Sequence, residues 1–199
     1  IDGVVLAVPD HLHAPMAIAA LEAGKHVLVE KPISRTAAEA RDMMAARDKA
    51  GKVLMVGMNQ RFAQGHRAVK QRVDEGAIGS IYYARTRWHM QRPHAGLWQR
   101  GDWFLSRAGG GSGPLLDMGV HRLDLALHMM GFPEVADVHG ATFSVLGAHE
   151  ARRHGKAYEL EDGGAAMVRF RNGVSLILEA SYFVNLPTVG MSGTELAGA

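Results

Sequence analysis

The chain has 199 residues, 47% of them hydrophobic and 21% charged, with a formal net charge of +2 at pH 7. Its basic residues are spread along the chain, which argues against a nucleic-acid binder. The lack of cysteine excludes disulfides and thiolate-ligated metals, no apolar run has the length of a membrane-spanning helix or the character of a signal peptide, and a soluble cytoplasmic protein is the default expectation.

"DGVVLAVP" is a continuous apolar run of strand length, as expected for a strand covered on both faces of a parallel sheet. Pro9 and Asp10 break it. "HAPMAIAALEAG" has helical periodicity, with Gly24 at its C-cap. "HVLVE" is the next strand. Ser34 or Thr36 can N-cap a helix over "AAEARDMMAARDKAG", which closes on Gly51. "KVLMVGM" is a third strand. Strands alternating with helices predict a doubly wound, Rossmann-like α/β sheet, so residues 1–58 are expected to be the latter part of a nucleotide-binding domain. The chain opens inside a strand without an initiator Met and stops at "GTELAGA" without a closing element, so a fragment cut at both ends is expected.

From residue 59 the pattern changes. "AQGHRAVKQRVDEGAIG" predicts a helix ending near Gly76, and "SIYYARTRWHM" alternates like a strand of a half-exposed sheet. Residues 91–113 read as a long loop with Trp98, Trp103 and the glycines Gly109 to Gly111; loops of that length are usually functional. "PLLDMGVHRLDLALHMMG" predicts one helix, with Pro114 in its first turn and Gly131 after its last. "EVADVHGATFSV", "GAAMVRFRNG" and "VSLILEASYF" are strands, the last two joined by a turn at Arg171-Asn172-Gly173. Residues 59–199 thus predict an α+β domain with an open, mainly antiparallel sheet. One sheet face is expected to pack on the helix from 114. Alternating apolar residues suggest that the other face also needs cover.

Two features carry chemistry. Ligands of open parallel sheets bind at the carboxyl ends of the strands, where "HVLVE" delivers Glu30 and Lys31. Pro32 holds Lys31 in extended geometry. A lysine fixed there can bond a substrate oxygen and stabilise charge developing on it; a solvated lysine opening a βα loop is the other reading. The second feature is the helix from 114. Asp117, His121, Asp124 and His128 are spaced 4, 3 and 4, which places all four on one face of an α-helix among apolar neighbours. Such a stripe is costly unless it lines a cleft, and histidine suits proton transfer near neutral pH. Helix-surface charge pairs are the alternative. His128 lies near the helix C-terminus, where a cationic histidine is favoured. His11 and His13 could suggest metal ligands, but no third ligand is near in sequence and no metal is expected.

Taken together, "AVPDHLHAPMAIAALEAGKHVLVEKPIS", "VGMNQRF", "GGGSGPLLDMGVHRLDLALHMMG" and "LEDGGAAMVRFRNGVSLILEASY" resemble the glucose–fructose oxidoreductase/inositol dehydrogenase (Gfo/Idh/MocA) family over nearly the whole chain. The resemblance implies an NAD- or NADP-dependent oxidoreductase that moves a hydride between the nicotinamide and a sugar, inositol or related polyol or keto compound. It places the family lysine on Lys31 and the proton-accepting histidine on His121, with Asp117 as their catalytic partner. Asp124, Arg61 and Trp103 fall at substrate-contacting positions. Ala7, Pro9, Asp10, His13, Glu30, Lys31 and Pro32 fall where the family meets the cofactor; Asp10 is commonly Asn there. An NAD-dependent glycoside hydrolase and a non-catalytic nucleotide-sensing regulator share this scaffold and remain alternatives. The family's G-x-G-x-x-G turn is not found ahead of residue 1, and "GGGSG" at 109–113 follows no strand of a βαβ unit, so dinucleotide binding by this chain is expected to be weak. The resemblance also implies a homodimer or homotetramer formed through the open sheet face.

Overall fold

A computed structural model describes residues 1–91, 95–185 and 190–199. The chain divides into two compact units, Ile1–Met58 with Asp102–Ser112, and Asn59–Gly101 with Gly113–Ala199. The segment Asp102–Ser112, expected with the second domain, therefore joins the first unit.

In the first unit, β1 (Gly3–Leu6), β2 (His26–Val29) and β3 (Leu54–Val56) form a parallel sheet in the order β1-β2-β3. Helices α1 (His13–Glu22) and α2 (Ala37–Ala50) connect them. Thr36 is the N-cap of α2. Its hydroxyl accepts the Glu39 N–H at 3.1 Å, and the Glu39 carboxylate accepts the Thr36 N–H at 3.1 Å. This reciprocal pair satisfies two of the donors that every helix start leaves open. Ser34, the other candidate, instead donates its hydroxyl to the Thr36 carbonyl. Gly51 closes α2 at φ 61, a conformation that favours glycine.

The core of this unit is Leu6, Val27 and Val29 on one sheet face, packed with Ala14, Ala17, Leu21 and Met43 of the two helices. The strands are not covered on both faces. Val5, Leu28 and Met55, adjacent in register, are 70%, 38% and 45% exposed. Successive strand residues point to opposite faces, and among the described residues both helices lie on one of them.

In the second unit, α3 (Gln64–Asp74) precedes β4 (Ile81–Gln91). After the short α4 (Ala95–Gln99), a π-helical turn at Leu115–Gly119 runs into α5 (Val120–Met130). Then follow β5 (Val135–Phe143), α6 (Gly147–Arg153), β6 (Gly163–Phe170), β7 (Ser175–Val184) and β8 (Gly190–Gly198). The sheet order is β5-β6-β7-β4-β8, with β4 parallel to β7 and the other neighbours antiparallel. Helix α5 packs against Ala84 of β4, Val168 and Phe170 of β6, and Leu176 of β7 through Ala126. Gly119 lets the π-turn come close to β7; a side chain there would touch the Ala180 methyl at 3.3 Å.

Beyond the open face of the parallel sheet and the segment Asp102–Ser112, the structure differs from the sequence reading in four places. Residues 91–113 hold α4 and a 3₁₀ turn at Asp102–Leu105 rather than a bare loop; residues 92–94 of that stretch lie outside the described ones. Trp98 is buried there, stacked on His154 at 5.0 Å and Phe183 at 5.8 Å. The chain end is not without an element, since β8 pairs along the length of β4. Helix α6 has no counterpart in the sequence reading. The sheet face away from α5 is not mainly apolar: Ile177 and Met167 alternate with cross-strand ion pairs, Arg85 with Glu179, Arg87 with Glu195 and Arg169 with Asp137.

Candidate active site

The two units contribute separate groups of candidate residues. In the first unit they gather beyond the carboxyl ends of the parallel strands. Ala7, Pro9 and Asp10 follow β1, while Glu30, Lys31 and Pro32 follow β2. Glu30 accepts the Lys31 N–H at 3.2 Å, and its carboxylate lies against Gly57, just after β3. The Lys31–Pro32 peptide is cis.

His13 is fully buried. Its Nδ1 lies 2.7 Å from the Pro32 carbonyl and its Nε2 lies 2.9 Å from the Val8 carbonyl. Both ring nitrogens are thus spent inside the protein. His13 ties the loop after β1 to the loop that carries Lys31, and it presents neither a cofactor contact nor a metal ligand. Asp10 accepts the Ser112 hydroxyl at 2.5 Å. Trp103 is 46% exposed and meets Phe104 edge to face at 5.6 Å.

The glycines Gly109, Gly110 and Gly111 serve close packing. Side chains at Gly109 and Gly111 would collide with the backbone of Trp103 and Phe104, and Gly110, at φ 99, abuts the His11 ring. The strand-end loops at 7–10 and 30–32 have the position and polar groups to meet the reacting end of a dinucleotide.

In the second unit, the four residues expected in one stripe face different neighbours. The π-turn inserts an extra residue into the helical repeat, so the 4-residue step from Asp117 to His121 does not keep a common α-helical face. Asp117 accepts the phenolic O–H of Tyr182 at 2.9 Å, and Arg100 lies 3.8 Å away. Tyr182 is 2% exposed, and burial followed by the Asp117 charge pushes its hydroxyl well above the usual phenol range. It is therefore a donor under all ordinary conditions. His121 is buried, with its ring 6.1 Å from that of Trp88.

Asp124 turns elsewhere. It takes the Arg61 guanidinium bidentately, Nε to Oδ2 at 2.8 Å and Nη2 to Oδ1. The pair raises the Arg61 pKa, through its hydrogen bond to Asp124 above all. Two candidate substrate contacts thus satisfy each other. Arg61 also lies over the Phe132 ring at 5.0 Å. His128 is not favoured as a cation at the helix end: desolvation first, then Arg61 and Lys70, lower its pKa. No sequence pattern marks Tyr182, Arg100 or Trp88 as site residues; the alternation of "LILEASYF" places Tyr182 on the same sheet face as Leu178.

Family models match both parts of the chain. One described as "Oxidoreductase family, NAD-binding Rossmann fold" covers residues 1–58, and one described as "GFO/IDH/MocA C-terminal domain" covers residues 66–196. The D-glucoside 3-dehydrogenase of Escherichia coli K12 is 32% identical over 99% of this chain and 56% of its own length. The levoglucosan dehydrogenase of Pseudarthrobacter phenanthrenivorans is 33% identical over 96% of this chain and 53% of its own. A solved levoglucosan dehydrogenase in complex with NADH and levoglucosan superposes with a TM-score of 0.85 at 30% identity, covering all of this chain and 52% of that one. The chain spans about half the length of the curated relatives it matches.

Proposed function

The chain belongs to the Gfo/Idh/MocA oxidoreductase family, and from that premise we propose that its protein transfers a hydride between NAD or NADP and a CH–OH group of a sugar, inositol or related polyol, or the corresponding carbonyl. The observation that carries this reading is the Asp117–Tyr182 hydrogen bond beside His121 on the turn and helix of the second unit. It fixes an ionisable carboxylate four positions before a buried imidazole, and acid–base chemistry uses such groups.

The bound nicotinamide supplies or takes the hydride. The chain's own residues handle the proton and the charge. His121 takes the hydroxyl proton of the alcohol. Lys31, fixed by the loop that His13 and Pro32 anchor, bonds a substrate oxygen and stabilises its alkoxide character. Asp117, held by Tyr182, supports the charge of the histidine as it gains the proton. Ala7, Pro9, Asp10, Glu30 and Pro32 are the residues assigned to the cofactor. Arg61 and Asp124 act as a structural pair, with Trp103 as the remaining substrate contact. The cysteine-free composition fits a reducing cytoplasm, and none of the described helices is long and apolar enough to cross a membrane.

The assembly is proposed to be a homodimer or homotetramer across the sheet face that carries Ile177, Met167 and the cross-strand ion pairs. Light scattering that gave a monomer at micromolar concentration would remove this part. The catalytic part is tested by a panel of sugars, inositols and polyols offered to the full-length protein with NAD⁺ and NADP⁺. Reduced cofactor formed with at least one of them is the expected result. Tight cofactor binding with no turnover on any would favour a nucleotide-sensing regulator instead.

A further inference from the structure

Arg122 follows the proposed proton acceptor in sequence but faces another way. It is 8% exposed. Its guanidinium lies over the Trp88 ring at 4.9 Å, and its Nη2 donates to the Ser192 hydroxyl at 3.0 Å. Its Nε is buried with no acceptor among the described residues, and no carboxylate pairs with it there. Other arginines of this unit meet an acid within 3 Å, Arg61, Arg85, Arg87, Arg169 and Arg171 among them. Arg122 is the buried exception. Burial alone lowers its pKa, with no acidic group acting against that.

Arg122 borders a cavity of about 240 Å³ between α3, α5 and β8. No acidic residue lines it. His66 stands on the α3 side, donating Nδ1–H to the Gln60 carbonyl at 2.7 Å. Val69, Leu125 and Met129 supply apolar wall. A liquid water takes roughly 30 Å³, so the space exceeds what a single water needs. A buried cation without a counter-charge is costly, and a stacked aromatic ring offsets only part of that cost. An anion on the guanidinium would supply the missing counter-charge, and the guanidinium fork matches a carboxylate.

We propose that the cavity between α3, α5 and β8 binds a short-chain carboxylate, its oxygens on the Arg122 guanidinium and its carbon chain along Val69, Leu125 and Met129. The mixed lining separates this ligand from an inorganic oxyanion. A phosphate would use the guanidinium and leave the apolar wall unused, whereas each methylene of a carboxylate adds buried apolar area. The Trp88 ring neighbours both the Arg122 guanidinium and the His121 ring. The site therefore uses α5, the helix of the proposed proton acceptor, without using His121 itself.

The test is calorimetric titration of the full-length protein with acetate, butyrate, hexanoate and inorganic phosphate at constant ionic strength. Affinity should rise about fourfold per added methylene until the cavity is full. Arg122→Met should abolish the binding, and Arg122→Lys, which keeps the charge and loses the fork, should weaken it at least tenfold. Should Arg122→Met not fold, Val69→Trp at the half-exposed cavity mouth should weaken butyrate binding at least tenfold. Absence of saturable carboxylate binding at millimolar concentration overturns the proposal. So does phosphate binding as tight as butyrate, or butyrate affinity unchanged in Arg122→Met or Val69→Trp.

Discussion

Arg61 and Asp124, 63 positions apart in sequence, form a bidentate ion pair that fastens the turn at Asn59–Phe62 to helix α5. The Asp124 side chain is 10% exposed and that of Arg61 32%. Removing the arginine leaves a nearly buried carboxylate without its partner, which costs more than the pair's net contribution. Arg61→Met should lower stability by about 2 kcal/mol, discounted for the partial exposure of the guanidinium. Asp124→Leu combined with Arg61→Met should recover part of that loss. Urea unfolding of the two single variants and the double variant measures the coupling. Strict additivity would show that the pair does not act as a unit.

That pair also shows what sequence spacing could and could not reveal. Thr36, Gly51, Gly131 and Gly173 mark helix and turn boundaries through local chemistry, and the structure uses each at or beside its expected place. Lys31, Asp117, His121 and Asp124 were visible as an unusual concentration of polar residues. Their partners were not, because Tyr182 and Arg61 arrive from distant strands and turns. The π-turn at Leu115–Gly119 has no local marker, and it breaks the even stripe that an α-helical repeat implies. β8, "GMSGTELAG", shows no clear alternation and forms by pairing with β4, a non-local contact. Helix α6 has only seven residues and carries a weak periodic signal.

Tyr182→Phe deletes the hydroxyl that holds Asp117 while keeping the ring. A hydrogen bond to a charged group contributes about 1.5–3 kcal/mol, and stability should fall by an amount in that range. The hydroxyl does not titrate near neutrality, so its loss should act through Asp117. The pH profile of kcat should shift as well as its height. A variant with lower stability and an unchanged profile would reduce Tyr182 to packing.

Asp162 holds the entry of α6. It is 2% exposed and accepts the N–H groups of Val145, Leu146 and Gly147 at 2.7, 2.6 and 2.7 Å. Asp162→Ala would leave these donors without their acceptor, for a loss of about 3 kcal/mol. Thermal unfolding followed by circular dichroism would show the shift. A change below about 0.5 kcal/mol would mean that water replaces the carboxylate at all three donors.

His89 and His128 both have pKa values lowered below the usual 6.5, chiefly by desolvation. The unfolded chain then binds more protons than the folded one once the pH drops below about 6.5. Their contribution to stability is complete above that value and is lost as pH falls towards their lowered pKa values. The thermal midpoint should decline between pH 7 and pH 5, and a His89→Gln, His128→Gln double variant should flatten that decline. An equally steep decline in the double variant would place the titration on other groups.

The most direct measurement is kcat of full-length protein carrying His121→Ala, Lys31→Ala or His128→Ala, on the best substrate of the polyol panel. His121→Ala should lower kcat by about 10²- to 10⁴-fold with little change in cofactor affinity. Lys31→Ala should lower it by about 10²- to 10³-fold, and His128→Ala should stay near the parent value. Loss of turnover in His128→Ala with His121→Ala still active would contradict the assignment along the helix and the family correspondence on which it rests.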